Sequence, residues 1–226
     1  MSAPRFDGFG PDAFGFLRAI GFHQSREWFS DNRKLYESQL REPLIAFCTE
    51  AAERARSVGL DMTFDSKKGP FRINRDVRFA KEKHPYNQHV SAVLSRDGTK
   101  KAFGVLYVHV GLEEQFFAAG YWALPKEELD RFRRSAIARP DRYADLVQSL
   151  QARGLGWNDE GALKRLPRGW DDPGSALLRG ALRLRGFTVS RHVDEAATQQ
   201  RQLLDRFETF ARDTAPLFEW GVRVLT

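Results

Sequence analysis

Phe103-Gly104-Val105-Leu106-Tyr107-Val108-His109-Val110-Gly111-Leu112-Glu113-Glu114-Gln115-Phe116-Phe117-Ala118-Ala119-Gly120-Tyr121 is the stretch that decides the fold. Alternation puts Phe103, Val105, Tyr107 and His109 on one face of a strand and Leu106, Val108 and Val110 on the other. Both faces are largely apolar, so the strand belongs inside a sheet. Gly111 to Glu114 is short enough for a hairpin loop, which delivers Gln115 to Tyr121 as an antiparallel partner.

Helical signals lie on either side. Upstream, Gly10-Pro11-Asp12 opens a helix carrying Phe14, Leu17 and Ile20, with Phe6, Phe9 and Phe22 packed around its ends. Ser25 is an N-cap for a helix bearing Trp28, Phe29, Leu35, Tyr36 and Leu40, and Pro43 kinks it or starts a new one that Gly59 ends. Leu60 to Phe64 reads as a short strand and Gln88 to Leu94 as one or two turns. Downstream, Pro125 and Pro140 each open a helix, the pair reading as a helical hairpin laid on the sheet. Ser175 begins a short helix, Phe187 to Ser190 reads as a strand, and Asp194 caps a long last helix. Helices before and after a hairpin predict an α+β fold, an antiparallel hairpin-based sheet covered by N-terminal and C-terminal helices. With no repeat, low-complexity tract or linker, residues 1–226 read as a single domain.

Composition sets the outer limits. Eighteen Phe and five Trp among 226 residues mean an aromatic-rich core, not a disordered chain. No apolar run approaches the roughly 18 to 20 residues of a membrane span, and the N-terminus lacks the apolar centre of a signal peptide, so the expected location is cytoplasmic and no membrane partner is expected. The lone Cys48 lies in an apolar helical pattern, which makes it a buried small hydrophobe and excludes a disulfide framework. A net charge of +6 and a pI near 9.6 point to an anionic partner.

The densest cationic stretch is Phe71 to Tyr86, where Arg72, Arg75, Arg78 and Lys81 recur every third residue with Asp76, Phe79 and Tyr86 among them. Two readings compete for it. Either these cations converge on an anion, with aromatic rings as walls, or Asp76 pairs with Arg75 or Arg78 and the charges are internal. A second basic cluster, Lys164, Arg165 and Arg168, falls in an irregular polar segment and is expected to supply the opposite side of the same pocket.

The run from Arg72 through Arg75-Asp76, Arg78-Phe79, Lys81 and Lys83 to Pro85-Tyr86 resembles the signature of an uncharacterised family known as domain of unknown function 2461. Trp28-Phe29 with Asn32-Arg33 and Tyr36, Tyr107-Val108-His109, and Leu163-Lys164-Arg165 with Pro167-Arg168-Gly169 resemble its other motifs in order. The resemblance implies a cytosolic protein of mixed α/β content and carries no assigned activity. Where an Asp-His-Pro-like step would follow, this chain has Asp171-Asp172-Pro173.

The functional expectation is a basic, aromatic-lined pocket for a phosphate- or carboxylate-bearing small ligand. Arg72, Arg75, Arg78, Lys81, Tyr86, Tyr107, Lys164 and Arg165 would bind it, and in an enzyme His109 and Asp76 would be the acid–base pair. Asn32 and Arg33 are further candidates to face it. The alternative is a nucleic-acid-binding module with aromatic stacking, and a ligand-free interaction role comes third. His84 and His89 lie five apart with no third ligand, so no metal is expected, and no motif names a cofactor. Phosphate-loop, dinucleotide and nucleophile-elbow motifs are absent, which removes weight from the common hydrolase and dehydrogenase classes.

Overall fold

The alternation around Tyr107 becomes the inner strand of a four-stranded sheet in the computed structural model, which describes residues 5–78 and 83–226. The strands β1 (His89–Ser95), β2 (Val105–Gly111), β3 (Gln115–Tyr121) and β4 (Phe187–His192) lie side by side in that order, each pair antiparallel. The hairpin joins β2 to β3 as expected, with Val108 opposite Phe117. One face of the sheet carries Ala92, Leu94, Leu106, Val108, Phe117, Ala119 and Val189, all buried. The other carries Ser91, Tyr107, His109 and Phe116, so the second face of β2 is half-buried rather than closed. Phe103 precedes the strand and is exposed.

Helices flank the sheet in sequence, as α+β requires. The N-terminal layer is α1 (Ala13–Phe22), α2 (Arg26–Asp31), α3 (Arg33–Tyr36), a π-helical turn (Glu37–Arg41) and α4 (Glu42–Ser57). Ser25 does cap α2, its hydroxyl accepting the Trp28 N–H at 3.2 Å, and Pro43 sits in the first turn of α4, where its missing N–H costs nothing. After the sheet come α5 (Lys126–Ala138), α6 (Pro140–Gln151), α7 (Ala176–Arg183), α8 (Glu195–Thr198) and α9 (Leu203–Leu225).

The core forms where α4 and α9 cross the apolar sheet face. Phe47, Phe117 and Phe207 meet there, with Phe117 and Phe207 edge to face at 5.2 Å, an arrangement aromatic quadrupoles favour. The α5–α6 pair packs on α9 more than on the sheet, which it touches at one end through Phe132 against Tyr121 and Phe187. Glu50 joins the layers, accepting from the Phe6 N–H at 2.6 Å and from Arg201 Nη2 at 2.6 Å. Cys48 is fully buried, and burial pushes its thiol pKa up, which suits a packing role.

Four further local expectations fail, beyond Phe103 and the seat of the α5–α6 pair. Gln88 to Leu94 contributes β1, because Val90, Ala92 and Leu94 follow period two onto the core face. Leu60 to Phe64 forms no strand, and only Thr63 bridges to Ser95. Asp194 caps the short α8, accepting the Ala197 N–H at 2.8 Å, and α9 begins separately at Leu203. Phe22 is 86% exposed at the end of α1 rather than packed. Among the described residues no helix is long and apolar enough to cross a membrane.

Candidate functional site

A free sheet edge invites another strand, and here both edges are covered by the chain's own loops. On the β4 side, Trp157 bridges to Val189. On the β1 side, the Phe71 N–H donates to the Ser91 carbonyl at 2.8 Å and the Val93 N–H to the Gly69 carbonyl at 3.2 Å. The chain then leaves the sheet and returns as a short ladder. Arg75 N–H donates to the Pro85 carbonyl and Asn87 N–H to the Ile73 carbonyl, both at 2.8 Å. The described residues on either side of 79–82 therefore pair into a short ladder, the root of the cationic arm, beside β1.

Between that root, the half-open sheet face and the turn after β1 lies a cavity of about 520 Å³. Arg72, Arg75 and Lys100 bring positive charge to it, with Ser91, Tyr107 and His89 from the sheet. Among the described residues no carboxylate lies within ion-pair distance of Arg72 or Arg75. Lys100 is held in place: its Nζ donates to the Pro70 carbonyl at 2.7 Å and stands 5.0 Å over the Phe71 ring. Partial burial, and then the nearby Arg72 guanidinium, lower its pKa. Asp76 also lines the cavity, but its carboxylate is gripped by Arg78, with Nη2 to Oδ2 at 2.7 Å and Nε to Oδ1 at 3.0 Å.

Beneath Tyr107 is a ring cluster. The Tyr107 hydroxyl lies 3.0 Å from His109 Nδ1, and His109 stacks on Phe116 with centroids 4.8 Å apart and sits 4.3 Å from the His89 ring. Burial, then the neighbouring His89, push the His109 pKa down to about 4. His109 is therefore neutral at pH 7 and buttresses Tyr107, while His89 is the imidazole lining the cavity. The linkage has a definite sign. The unfolded chain takes up a proton near pH 6.5 that the folded protein refuses until about pH 4, so stability falls as pH falls across that window. Discounted for partial exposure, the loss is about 2 kcal/mol. Urea unfolding at pH 7 and pH 4.5 should show His109→Gln losing that much less than wild type; equal losses would contradict it.

The other sequence candidates fall elsewhere. Tyr86 is not a wall of the cavity. It is buried, stacked on Phe29 at 4.7 Å, with its backbone N–H and carbonyl both bonded by the Gln24 amide at 2.9 and 3.3 Å. Arg78 is committed to Asp76, and Lys83 Nζ donates to the Val77 carbonyl at 2.9 Å. Phe79 and Lys81 lie outside the described residues. Lys164 and Arg165 are exposed on a loop whose Leu163 N–H donates to the Arg183 carbonyl at 2.8 Å, following Asn158 at the β4 edge. The structure does not bring them to the cavity beside β1, since β1 and β4 are three strand spacings apart, about 14 Å. Asn32 joins α2 to α3, its Nδ2 donating to the Trp28 carbonyl at 2.9 Å, and Arg33 lies over the Phe29 ring. Lys100, His89 and Ser91, with Phe71, Asn74 and Asn87, line the cavity without having been singled out from the sequence as site residues. Reading β1 as a strand would have put His89 and Ser91 on the Tyr107 face. Among the described residues no group of three His, Cys, Asp or Glu side chains can hold a metal ion.

Fold and cavity together define an α+β protein whose helices build its core on one sheet face and whose cationic arm roots beside the first strand. The family model described as "Conserved hypothetical protein (DUF2461)" matches residues 12–220, and the chain belongs to that family. The resemblance carried by the Arg72 to Tyr86 run is thereby borne out. A comparison with curated proteins gives no match.

Proposed function

We propose that the cavity beside β1 binds a small phosphate- or carboxylate-bearing ligand in the cytoplasm, with Arg72, Arg75 and Lys100 as its cations. The observation that carries this reading is the pair of unpartnered guanidinium groups, Arg72 and Arg75, lining one hollow with the Lys100 ammonium. Like charges gathered in one hollow repel, and an anion among them offsets that repulsion. Arginine forks suit bidentate contact with phosphate or carboxylate, and the Tyr107 hydroxyl and Ser91 add polar contacts from the sheet.

Burial raises the Tyr107 pKa and lowers that of His109, so both stay neutral near pH 7, and their 3.0 Å contact positions the Tyr107 hydroxyl as a neutral hydrogen-bonding group rather than forming an acid–base pair. Asp76 forms no such pair either, because Arg78 holds its carboxylate ionised, below the usual range, by side-chain and then backbone hydrogen bonds. Thermal unfolding with inorganic phosphate, sugar phosphates, nucleoside monophosphates and di- and tricarboxylates tests the proposal. At about 100 times its dissociation constant a cavity ligand should raise the midpoint by roughly 5 °C. A panel with no shift, or a shift kept by Arg75→Ala, would overturn it. Salt-sensitive oligonucleotide binding that Arg72→Ala with Arg75→Ala abolishes would favour the nucleic-acid alternative at this cavity.

A further inference from the structure

A larger groove, about 750 Å³, lies between α5, α6 and the C-terminal half of α9 and shares no lining residue with the cavity beside β1. We propose that it binds a string of phosphates, such as an inorganic polyphosphate or the backbone of a single-stranded nucleic acid.

Arg131 and Arg134 on α5, Arg139 at the helix junction and Arg142 on α6 line it, all exposed. Among the described residues none of these four has a carboxylate within ion-pair distance. Some arginines elsewhere are paired, Arg54, Arg191, Arg201 and Arg212 each facing an aspartate or glutamate at 3.0 Å or less, whereas Arg165, Arg168 and Arg185 face none among the described residues but line no shared groove with these four. Arg223, the fifth arginine of the groove, pairs with Glu219 at 3.6 Å in solvent, which neutralises it only weakly. Asp145 is the other lining acid, so positive charge prevails.

Shape selects the ligand. Arg131 and Arg139 are separated by about 12 Å of helical rise, and Arg142 follows one turn into the next helix. Arginines carried at that backbone spacing on two elements suit several linked phosphates better than a single one. The groove's indole, Trp220, is 9% exposed with its Nε1 donating to Ser135 Oγ at 3.2 Å, so it offers no platform for base stacking. Recognition is therefore of charge and spacing, without sequence preference.

Fluorescence anisotropy with a labelled oligothymidylate, and calorimetry with inorganic polyphosphate, tests this. Four phosphate contacts predict roughly 50-fold weaker oligonucleotide binding between about 50 and 200 mM salt. Joint replacement Arg131→Ala, Arg134→Ala, Arg139→Ala and Arg142→Ala should weaken binding at least about 10-fold, while Arg72→Ala with Arg75→Ala leaves it unchanged. If the fourfold variant does not fold, Arg134→Glu with Arg142→Glu should give the same loss. Binding of either probe alone supports the proposal and names the source of the phosphates. Failure of both probes at about 50 mM salt, equal affinity in a folded groove variant, or loss in the cavity variant would overturn it.

Discussion

Replacing Gly221 by alanine should destabilise the protein by about 3 kcal/mol, although helix propensity alone favours the change by nearly 1 kcal/mol. Gly221 lies inside α9 where that helix crosses the end of β3. A Cβ there would stand 2.1 Å from Cζ and Oη of Tyr121, a ring that is 2% exposed and wedged against Phe132 at 4.7 Å. The ring cannot swing aside without displacing Phe132, so the helix must move off the sheet, and the overpacking term wins. Urea denaturation of Gly221→Ala checks the sign, and Tyr121→Leu in the same chain should recover part of the loss. A stabilised Gly221→Ala would mean that α9 does not press on β3 as described.

The second large effect concerns binding rather than folding. Arg72→Ala with Arg75→Ala should cost a cavity ligand about 3 kcal/mol, roughly 100-fold in affinity, because each charge-assisted contact contributes on the order of 1.5 to 3 kcal/mol. Folding should barely change, since both side chains are exposed and neither has a carboxylate partner among the described residues. Relief of repulsion on Lys100 should raise its pKa in the double variant. Arg75→Lys keeps the charge but loses the planar fork, so an intermediate loss of about 10-fold is expected. Titration calorimetry of the three proteins with the best ligand of the panel separates these cases. Parallel losses of stability and affinity would point to a structural role for the arginines instead.

The hairpin was legible because period-two alternation through Tyr107 and His109 meets a four-residue polar loop, two local signals that agree. β1 was not, because Ser91, Ala92 and Ser95 dilute the apolar pattern and its pairing partner lies beyond a polar turn. Asp194 and the pattern beyond it looked like one helix, yet the turn at Gln199 to Gln202 divides α8 from α9. For the site, Arg72 and Arg75 were found from charge density, and they do line one cavity. Tyr86 sits in the same run but is drawn into the core by Gln24 and Phe29, partners some sixty residues away that no local spacing reveals. The pairing of Asp76 with Arg78 was one of the two readings the sequence left open. Convergence of Lys164 and Arg165 on the same hollow was an inference from charge alone, and charge does not say which sheet edge a loop covers.

The most direct measurement is a crystal of the protein soaked in tungstate, a phosphate surrogate whose anomalous signal marks its position without bias. A peak within hydrogen-bond distance of Arg72 and Arg75, beside Lys100 and the Tyr107 hydroxyl, is the predicted result. Peaks confined to other arginines, with none in the cavity beside β1, would contradict it.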